Sequence, residues 1–165
     1  MKKKKLVIIN GTMGVGKTTV CKLLYKELRN SVWLDGDWCW MMNPFVVNDE
    51  NKNMATKNIS FLLKSFLENS SYEYVIFCWV IHQYEILENL LSELSAYDYE
   101  LFVFTLQCTA EKLEERMLND ERESDNIEKS MKRLDLYNDM KTVKIDTSNL
   151  TPLQTMNIIL EKINQ

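Results

Sequence analysis

Residues 11–18 of this 165-residue chain read GTMGVGKT and match the pattern GxxxxGK[ST]. A short apolar run at residues 6–9 precedes the pattern and a helical periodicity follows it, which is the local order that a phosphate-binding loop requires. Glycines let the backbone fold tightly around an anion and direct several N–H groups at phosphate oxygens. A helix that begins near Lys17 adds the positive end of its dipole. The segment therefore predicts a site for the phosphates of a nucleotide.

The residue types within this loop suggest separate tasks. Lys17 is expected to contact the β- and γ-phosphates of ATP, and the Thr18 hydroxyl to hold Mg²⁺. The chain contains four glycines, and three of them lie in this loop. Because the rest of the chain avoids glycine, this placement favours phosphate binding over a structural turn. The predicted nucleotide-binding residues are Gly11, Thr12, Met13, Gly14, Val15, Gly16, Lys17, Thr18 and Thr19.

The fourth glycine, Gly36, lies in the sequence Leu34-Asp35-Gly36-Asp37 at the end of a predicted second strand. Ligands of open parallel sheets bind beyond the carboxyl ends of the strands, so this segment is expected near the phosphates. Two carboxylates beside a triphosphate are unfavourable unless a metal ion or a proton transfer uses them. We expect Asp37 to orient or deprotonate an acceptor hydroxyl, and Asp35 to contact magnesium through water. A simple Asp-Gly turn is the alternative.

Strand and helix patterns alternate along the whole chain, which predicts an α/β fold with a parallel sheet covered by helices on both faces. The predicted strands are residues 6–9, 31–34, 74–80, 101–106 and 143–145. The predicted helices are residues 17–28, 55–67, 84–94, 110–118 and 126–137, and a last helix that begins at Pro152 behind the N-cap Thr151. No repeat or linker marks a boundary, so we expect a single domain over residues 1–165.

Composition excludes several functional classes. The net charge is −4 although residues 2–5 are all lysine, whereas a nucleic-acid binder is usually basic overall or over one face. No apolar run reaches the length of a transmembrane helix or of a signal-peptide core. The four cysteines form no CxxC pair, which predicts neither a zinc site nor a disulfide framework. We therefore expect a cytoplasmic protein that binds no nucleic acid and no membrane; the sequence does not indicate its oligomeric state.

Charged side chains dominate residues 111–133, where they make up fourteen of the twenty-three residues. Such a segment does not form deep core. One interpretation is a solvated helical hairpin, and the other is a mobile lid that closes over phosphates with its arginines. The lid would span roughly residues 117–128.

The loop at residues 10–19 and the Leu-Asp-Gly-Asp element resemble the small P-loop kinases that phosphorylate metabolite hydroxyls. This family includes shikimate kinase, gluconate kinase, adenylylsulfate kinase and chloramphenicol phosphotransferase. The resemblance implies a P-loop NTP hydrolase fold, with a five-stranded parallel sheet of order 2-3-1-4-5 and a helical lid. It also implies that Asp37 meets the acceptor hydroxyl.

The same resemblance implies roles for several residues of the second half of the chain. Arg116 would stack on the adenine, and Arg122 would reach the transferred phosphate from the lid. Arg133 and Tyr137 lie where the family often adds another phosphate contact, and residues 145–148 resemble the loop that lines the adenine. For each arginine, a surface ion pair is the alternative.

The chain departs from the family pattern after the third strand. The sequence Phe77-Cys78-Trp79-Val80-Ile81-His82 has neither a carboxylate suited to bind magnesium nor the Gly-Gly-Gly turn of shikimate kinase, so shikimate is disfavoured as a substrate. Aromatic residues are dense near the two aspartates: core packing is expected for Trp33 and Trp79, and an acceptor pocket is an open alternative for Trp38 and Trp40. His82 is equally compatible with substrate binding and with a structural role.

These observations predict an ATP- and Mg²⁺-dependent phosphotransferase that acts on a hydroxyl or phosphate of a small molecule. Lys17, Asp37 and Arg122 are the predicted catalytic residues, and Thr18 and Asp35 the predicted metal-binding pair. A nucleoside or nucleotide kinase is one alternative. The other is an ATP-binding regulatory or resistance module without phosphoryl transfer, which the missing carboxylate after the third strand would favour.

Overall fold

A single parallel sheet organises the chain in the computed structural model, which describes residues 3–165. Its strands are β1 (Lys4–Asn10), β2 (Ser31–Asp35), β3 (Tyr74–Trp79), β4 (Tyr99–Gln107) and β5 (Val143–Asp146). They lie in the order β2-β3-β1-β4-β5, and all neighbouring pairs are parallel. The strand number, order and direction that the sequence predicts are confirmed.

Within residues 3–165, five helices lie between strands and a sixth follows β5. They are α1 (Lys17–Glu27), α2 (Asp49–Glu68), α3 (Tyr84–Glu93), α4 (Ala110–Asn119), α5 (Ser124–Arg133) and α6 (Pro152–Ile163). Short 3₁₀ turns at Gly36–Trp40 and Leu134–Tyr137 follow β2 and α5. Within residues 3–165, no helix has both the length and the apolar character needed to cross a membrane.

The two faces of the sheet are buried by different helices. Along β1, Leu6 and Ile8 belong to one apolar cluster and Val7 and Ile9 to the other, because side chains alternate between the faces of a strand. Helices α1 and α6 pack on the Val7 face, whereas α2 and α3 pack on the Leu6 face. Both sides of β1 are thus fully buried, which explains its continuous apolar sequence.

Two helix predictions are wrong at their boundaries. Helix α2 begins at Asp49 and not at residue 55, because the side chain of Asn48 caps it by accepting the N–H of Asn51 at 2.8 Å. Its first turns face solvent and therefore lack the apolar periodicity on which the prediction depended. The helix predicted at residues 126–137 begins at Ser124 and changes to a 3₁₀ turn after Arg133.

Candidate active site

The phosphate-binding loop connects β1 to α1 and has the backbone that its glycines allow. Gly14 and Gly16 have φ values of +85° and +106°, a region that other residues rarely adopt. A Cβ on Gly14 would also lie 2.5 Å from Cγ of Met117, which is fully buried in α4. The loop is therefore fixed by its own conformation and by close packing against α4.

Lys17 lies inside this loop. Its Nζ donates a hydrogen bond to the carbonyl of Thr12 at 2.8 Å, and its side chain is almost completely buried. Burial lowers the pKa of Lys17, while Cys78, Asp37 and Asp35 act in the opposite direction. The ammonium group is thus held among the loop's carbonyls and two carboxylates.

Asp35, at the end of β2, connects the loop to the following turn. Its Oδ2 accepts a hydrogen bond from Oγ1 of Thr18 at 2.9 Å, and its Oδ1 accepts the N–H of Asp37 at 3.1 Å. In the sheet register Asp35 pairs with Cys78 of β3. The carboxylate that is absent at the end of β3 therefore stands at the same level of the sheet on the neighbouring strand.

Asp37 follows in the 3₁₀ turn and lines a cavity beside the loop. The turn is held by close contact, since a Cβ on Gly36 would lie 2.5 Å from Cγ of Trp79. Burial and the neighbouring Asp35 raise the pKa of Asp37, and the charges of Lys17 and Arg122 lower it. Asp37 is exposed, and its carboxylate lies near one anionic and two cationic groups.

Arg122 stands at a sharp turn after α4. The N–H of Arg122 donates to the carbonyl of Met117 and that of Glu121 to the carbonyl of Leu118, both at 3.0 Å, while Glu121 has a φ of +53°. This is the Schellman motif that ends many helices. The motif places the guanidinium close enough to lower the pKa of Asp37. Met117, the first residue of the predicted lid, is in contrast part of the packed core.

Arg116 lies on the opposite side of the loop. Its guanidinium donates to the carbonyl of Thr147 at 2.7 Å, to Oγ1 of Thr147 at 3.0 Å and to the carbonyl of Val15 at 3.3 Å. These bonds connect the phosphate-binding loop to the segment after β5. They form one wall of a cavity of about 420 Å³ that also contains Gly14, Gly16, Thr19, Lys112 and Asp120.

A second cavity, of about 490 Å³, lies on the Asp37 side of the loop and is mainly apolar. We call it the acceptor cavity, because the sequence predicts an acceptor site beside Asp37. It brings together residues that the sequence singled out in separate segments, namely Met13, Asp37, Trp40, Trp79, His82 and Arg133, and it also contains Phe45. Met13 therefore faces this cavity, while Gly14, Val15, Gly16 and Thr19 face the cavity of Arg116.

The structure separates the aromatic residues that the sequence grouped. Trp40 and Trp79 line the acceptor cavity, so Trp79 is more than a core residue. Trp38 lies outside it, packed on Trp33 with ring centroids 5.0 Å apart. Tyr137 is buried, and its hydroxyl has no hydrogen-bond partner among residues 3–165.

His82 and Arg133 are neighbours at the mouth of the acceptor cavity. Burial and the charge of Arg133 lower the pKa of His82, and the carbonyl of Val80 acts in the opposite direction. The imidazole is therefore neutral at pH 7 and is able to accept or donate a hydrogen bond. Arg133 is partly buried and forms no ion pair within the described part of the chain.

Sequence reasoning missed part of the acceptor cavity. Met41, Val47 and Lys52 line it from the connection after Trp40 and from the start of α2. The signal in the sequence was the apolar character of residues such as Met41 and Val47 in this connection. It was missed because α2 was predicted to begin at residue 55 and not at Asp49.

Comparisons with known proteins agree with this geometry. A cytidylate kinase of Buchnera aphidicola subsp. Baizongia pistaciae (strain Bp) is 32% identical over 60 residues, which cover 36% of this chain and 26% of the relative. The match thus spans about a quarter of the length of that relative. A match of this length shows local similarity only, and it does not extend the relative's activity to this chain.

Solved structures show the fold over nearly the whole chain. A tunicamycin resistance protein of Deinococcus radiodurans has a TM-score of 0.75 at 22% identity, covering 98% of this chain and 96% of its own. A gluconokinase of Sinorhizobium meliloti 1021 has a TM-score of 0.69 at 15% identity, covering 99% and 98%. The predicted resemblance to P-loop small-molecule kinases is thereby confirmed for the fold.

The family comparison covers most of the chain as well. A family model described as an AAA domain matches residues 7–138, which include the phosphate-binding loop, both aspartates and the three arginines of the candidate site. With its loop, sheet order and kinase-like neighbours, the chain belongs to the AAA domain family and has the fold of the P-loop small-molecule kinases.

Proposed function

We infer that the protein transfers the γ-phosphate of ATP to a hydroxyl of a small molecule bound in the acceptor cavity. The observation that carries this proposal is the position of Asp37. Its carboxylate lines the acceptor cavity, while the charges of Arg122 and of Lys17, which lies in the phosphate-binding loop, lower its pKa. A base at the boundary between a phosphate site and an acceptor site is what alignment of a hydroxyl nucleophile requires.

The proposed nucleotide site is the loop together with the cavity of Arg116. Backbone N–H groups of residues 11–19 would bind the phosphates, and Lys17 would exchange its bond to the Thr12 carbonyl for a bond to the β- and γ-phosphates. Arg116 and Thr147 would border the nucleobase. The hydrogen bonds that fix Arg116 make it a rigid wall, which lowers the entropic cost of binding.

Oxygen ligands suited to Mg²⁺ are present at the phosphate end. Thr18 and Asp35 present adjacent oxygens, joined by the 2.9 Å hydrogen bond, and such hard donors suit this ion. Within residues 3–165, no three His, Cys, Asp or Glu side chains cluster as a metal site. A site that shares its ion with substrate phosphates needs only one or two protein oxygens. When bound there, Mg²⁺ would neutralise charge on the transferring phosphate.

In the proposed reaction, Asp37 accepts the proton of the acceptor hydroxyl as its oxygen attacks the γ-phosphorus. The bond from the γ-phosphorus to the bridging oxygen breaks, and ADP leaves with that electron pair. Arg122 would stabilise the charge on the transferring oxygens. Its position next to Asp37 supports this role.

The decisive experiment measures ADP release from Mg-ATP with a panel of acceptors. The panel contains nucleosides, nucleotides, sugar acids and aromatic alcohols, and it includes tunicamycin because a protein of this fold is a tunicamycin resistance protein. Asp37→Asn is the test variant, and Asp139→Asn, the same change on an exposed surface, is its control. We expect acceptor-dependent release that falls about 10²- to 10⁴-fold in Asp37→Asn and is unchanged in Asp139→Asn.

Two other results would change the assignment. Unchanged turnover in Asp37→Asn would remove Asp37 from the mechanism. Tight ATP binding without acceptor-dependent ADP release would favour a nucleotide-binding regulatory or resistance module. Selective phosphorylation of nucleosides or nucleotides within the panel would assign the narrower activity of a nucleoside or nucleotide kinase.

A further inference from the structure

Apart from Asp37, Lys52, His82 and Arg133, the wall of the acceptor cavity is apolar. It consists largely of Trp40, Phe45, Val47, Trp79 and Ile86. A small polar acceptor such as a sugar acid would leave this wall in contact with water. A ligand with an apolar body would cover it and gain the free energy of burying apolar surface.

A second groove, lined by apolar side chains together with polar groups such as Asn58, adjoins the acceptor cavity at Met41, which lines both. This groove, the distal groove, has a volume of about 420 Å³ and lies between the turn at Trp38 and helix α2. The α2 residues that line it are Met54, Asn58, Phe61 and Leu62. They are spaced four, three and one positions apart and therefore share one helix face. From Met54 to Phe61 this face extends about 10 Å.

Several large apolar side chains that line the acceptor cavity and the distal groove are exposed. Met41 is 84% exposed, Phe61 71%, Phe45 66% and Trp38 52%. Apolar side chains gathered on a concave surface mark a binding site, whereas scattered ones do not. The acceptor cavity contains the candidate base Asp37, and both it and the distal groove are concave. Together they therefore suit an elongated small molecule better than the flat surface of a partner protein.

We propose that the acceptor is an amphiphile with a hydroxyl at one end and an extended apolar body that passes Met41 and ends against Phe61. The inference rests on the proposed phosphotransfer, since Asp37 defines which end carries the hydroxyl. The hydroxyl oxygen forms the new bond to the γ-phosphorus, its proton goes to Asp37, and ADP leaves with the electrons of the broken bond. The product is the phosphate monoester of the same amphiphile.

A series of 4-alkoxybenzyl alcohols with tails of one to eight carbons tests this proposal. Each compound has the same aromatic ring and primary hydroxyl, and only the tail length differs. Binding is measured by calorimetry with Mg²⁺ and a non-hydrolysable ATP analogue, and phosphorylation by ADP release from Mg-ATP. We expect affinity and kcat/KM to rise with each added methylene until the tail fills the distal groove. The rise should be about twofold per methylene if the methylene is half buried and about fourfold if it is fully buried.

A variant at the far end of the distal groove tests whether the tail of the ligand binds there. Phe61→Ala should lower kcat/KM about tenfold for the longest tail and less than about twofold for the shortest. Leu101→Ala is the matched control, because it removes an exposed apolar side chain near the amino end of β4, which lies on the other side of β1 from β2 and β3. The dependence on tail length should persist in that control.

The outcomes separate this proposal from the phosphotransfer. Affinity that does not rise with tail length overturns the amphiphile, and Asp37-dependent turnover of polar acceptors would then leave phosphotransfer standing alone. Affinity that rises with tail length while no acceptor is phosphorylated supports the amphiphile site and overturns phosphotransfer. Self-association in sedimentation that Phe61→Ala abolishes, with no effect of tail length, would assign the surface to a second copy of the chain.

Discussion

Two cavities flank the phosphate-binding loop, and their linings differ in chemical character. The cavity of Arg116 is bordered by loop backbone, Thr147 and charged side chains held by specific hydrogen bonds. The acceptor cavity has aromatic and aliphatic walls with Asp37 at one end. A few fixed polar contacts suit a single recurrent ligand such as ATP, whereas apolar area suits ligands that differ in shape. Selectivity for ATP would therefore come from fixed hydrogen bonds, and selectivity for the acceptor from the fit of apolar surface.

Lys17 belongs to the loop that borders both cavities, and its substitution gives the largest expected effect. Lys17→Ala removes the buried ammonium from the loop, so ATP affinity should weaken and kcat should fall about 10²- to 10³-fold. Steady-state kinetics and calorimetry with Mg-ATP measure both quantities. Lys22→Ala, an exposed lysine of the same helix, should change neither. If Lys17→Ala is also silent, the phosphate site lies elsewhere and the two cavities do not share a reaction.

Gly36→Ala should disturb the acceptor side alone. The new Cβ would lie 2.5 Å from Cγ of Trp79, so the turn that carries Asp37 must shift. Misplacement of a catalytic group by about 1 Å costs up to about 10²-fold in rate, and we expect a loss of kcat of about 10- to 100-fold with ATP affinity retained.

The double variant Gly36→Ala/Trp79→Ala makes this prediction sharper. Removing the indole removes the steric conflict, so the two changes should be strongly non-additive, with part of kcat restored relative to Gly36→Ala. Additive losses would mean that Trp79 does not fix the turn.

Arg116→Ala should disturb the nucleotide side alone. It removes three hydrogen bonds to Val15 and Thr147, and we expect KM for ATP to rise about tenfold while KM for the acceptor stays the same. Arg29→Ala, at an exposed arginine after α1, is the control. An equal change in both KM values would contradict separate recognition of the two substrates.

The pH dependence provides the smallest and most local test. Burial and Asp35 raise the pKa of Asp37, so the acid limb of kcat/KM should lie above the ordinary aspartate value of 3.8. Arg122→Gln removes a charge that lowers this pKa and should move the limb to higher pH; Arg29→Gln should not. A limb that does not respond to Arg122→Gln would show that the arginine does not face Asp37 in the working enzyme.

The sign of this titration also separates activity from folding. A pKa that is higher in the folded than in the unfolded chain means that the folded state binds the proton more readily. Protonation of Asp37 therefore favours folding as the pH falls through this pKa. Circular dichroism across the acid limb should accordingly show no loss of structure from this group.

Local patterns predicted much of this protein. The pattern at residues 11–18 is contained in one stretch of chain, and the alternation of strands and helices predicted the parallel sheet. The order of the strands agrees with what the resemblance to the small P-loop kinases implied. The start of α2 was misplaced because its capped first turns face solvent and bury no apolar stripe. Periodicity detects burial, and it fails where a helix is stabilised by its cap instead.

The sequence by itself determined the phosphate-binding loop, the pair Asp35 and Asp37 and the alternation of strands and helices, because each depends on residues close together in the chain. Only the tertiary structure decided which aromatic residues face the acceptor. Trp40 and Trp79 come from segments some forty residues apart, and they meet because β2 and β3 are neighbours in the sheet. Trp38, two residues from Trp40, lies outside the cavity because the intervening 3₁₀ turn rotates it onto Trp33. The direction of a side chain at the end of a strand depends on packing with distant elements, and no local pattern encodes that.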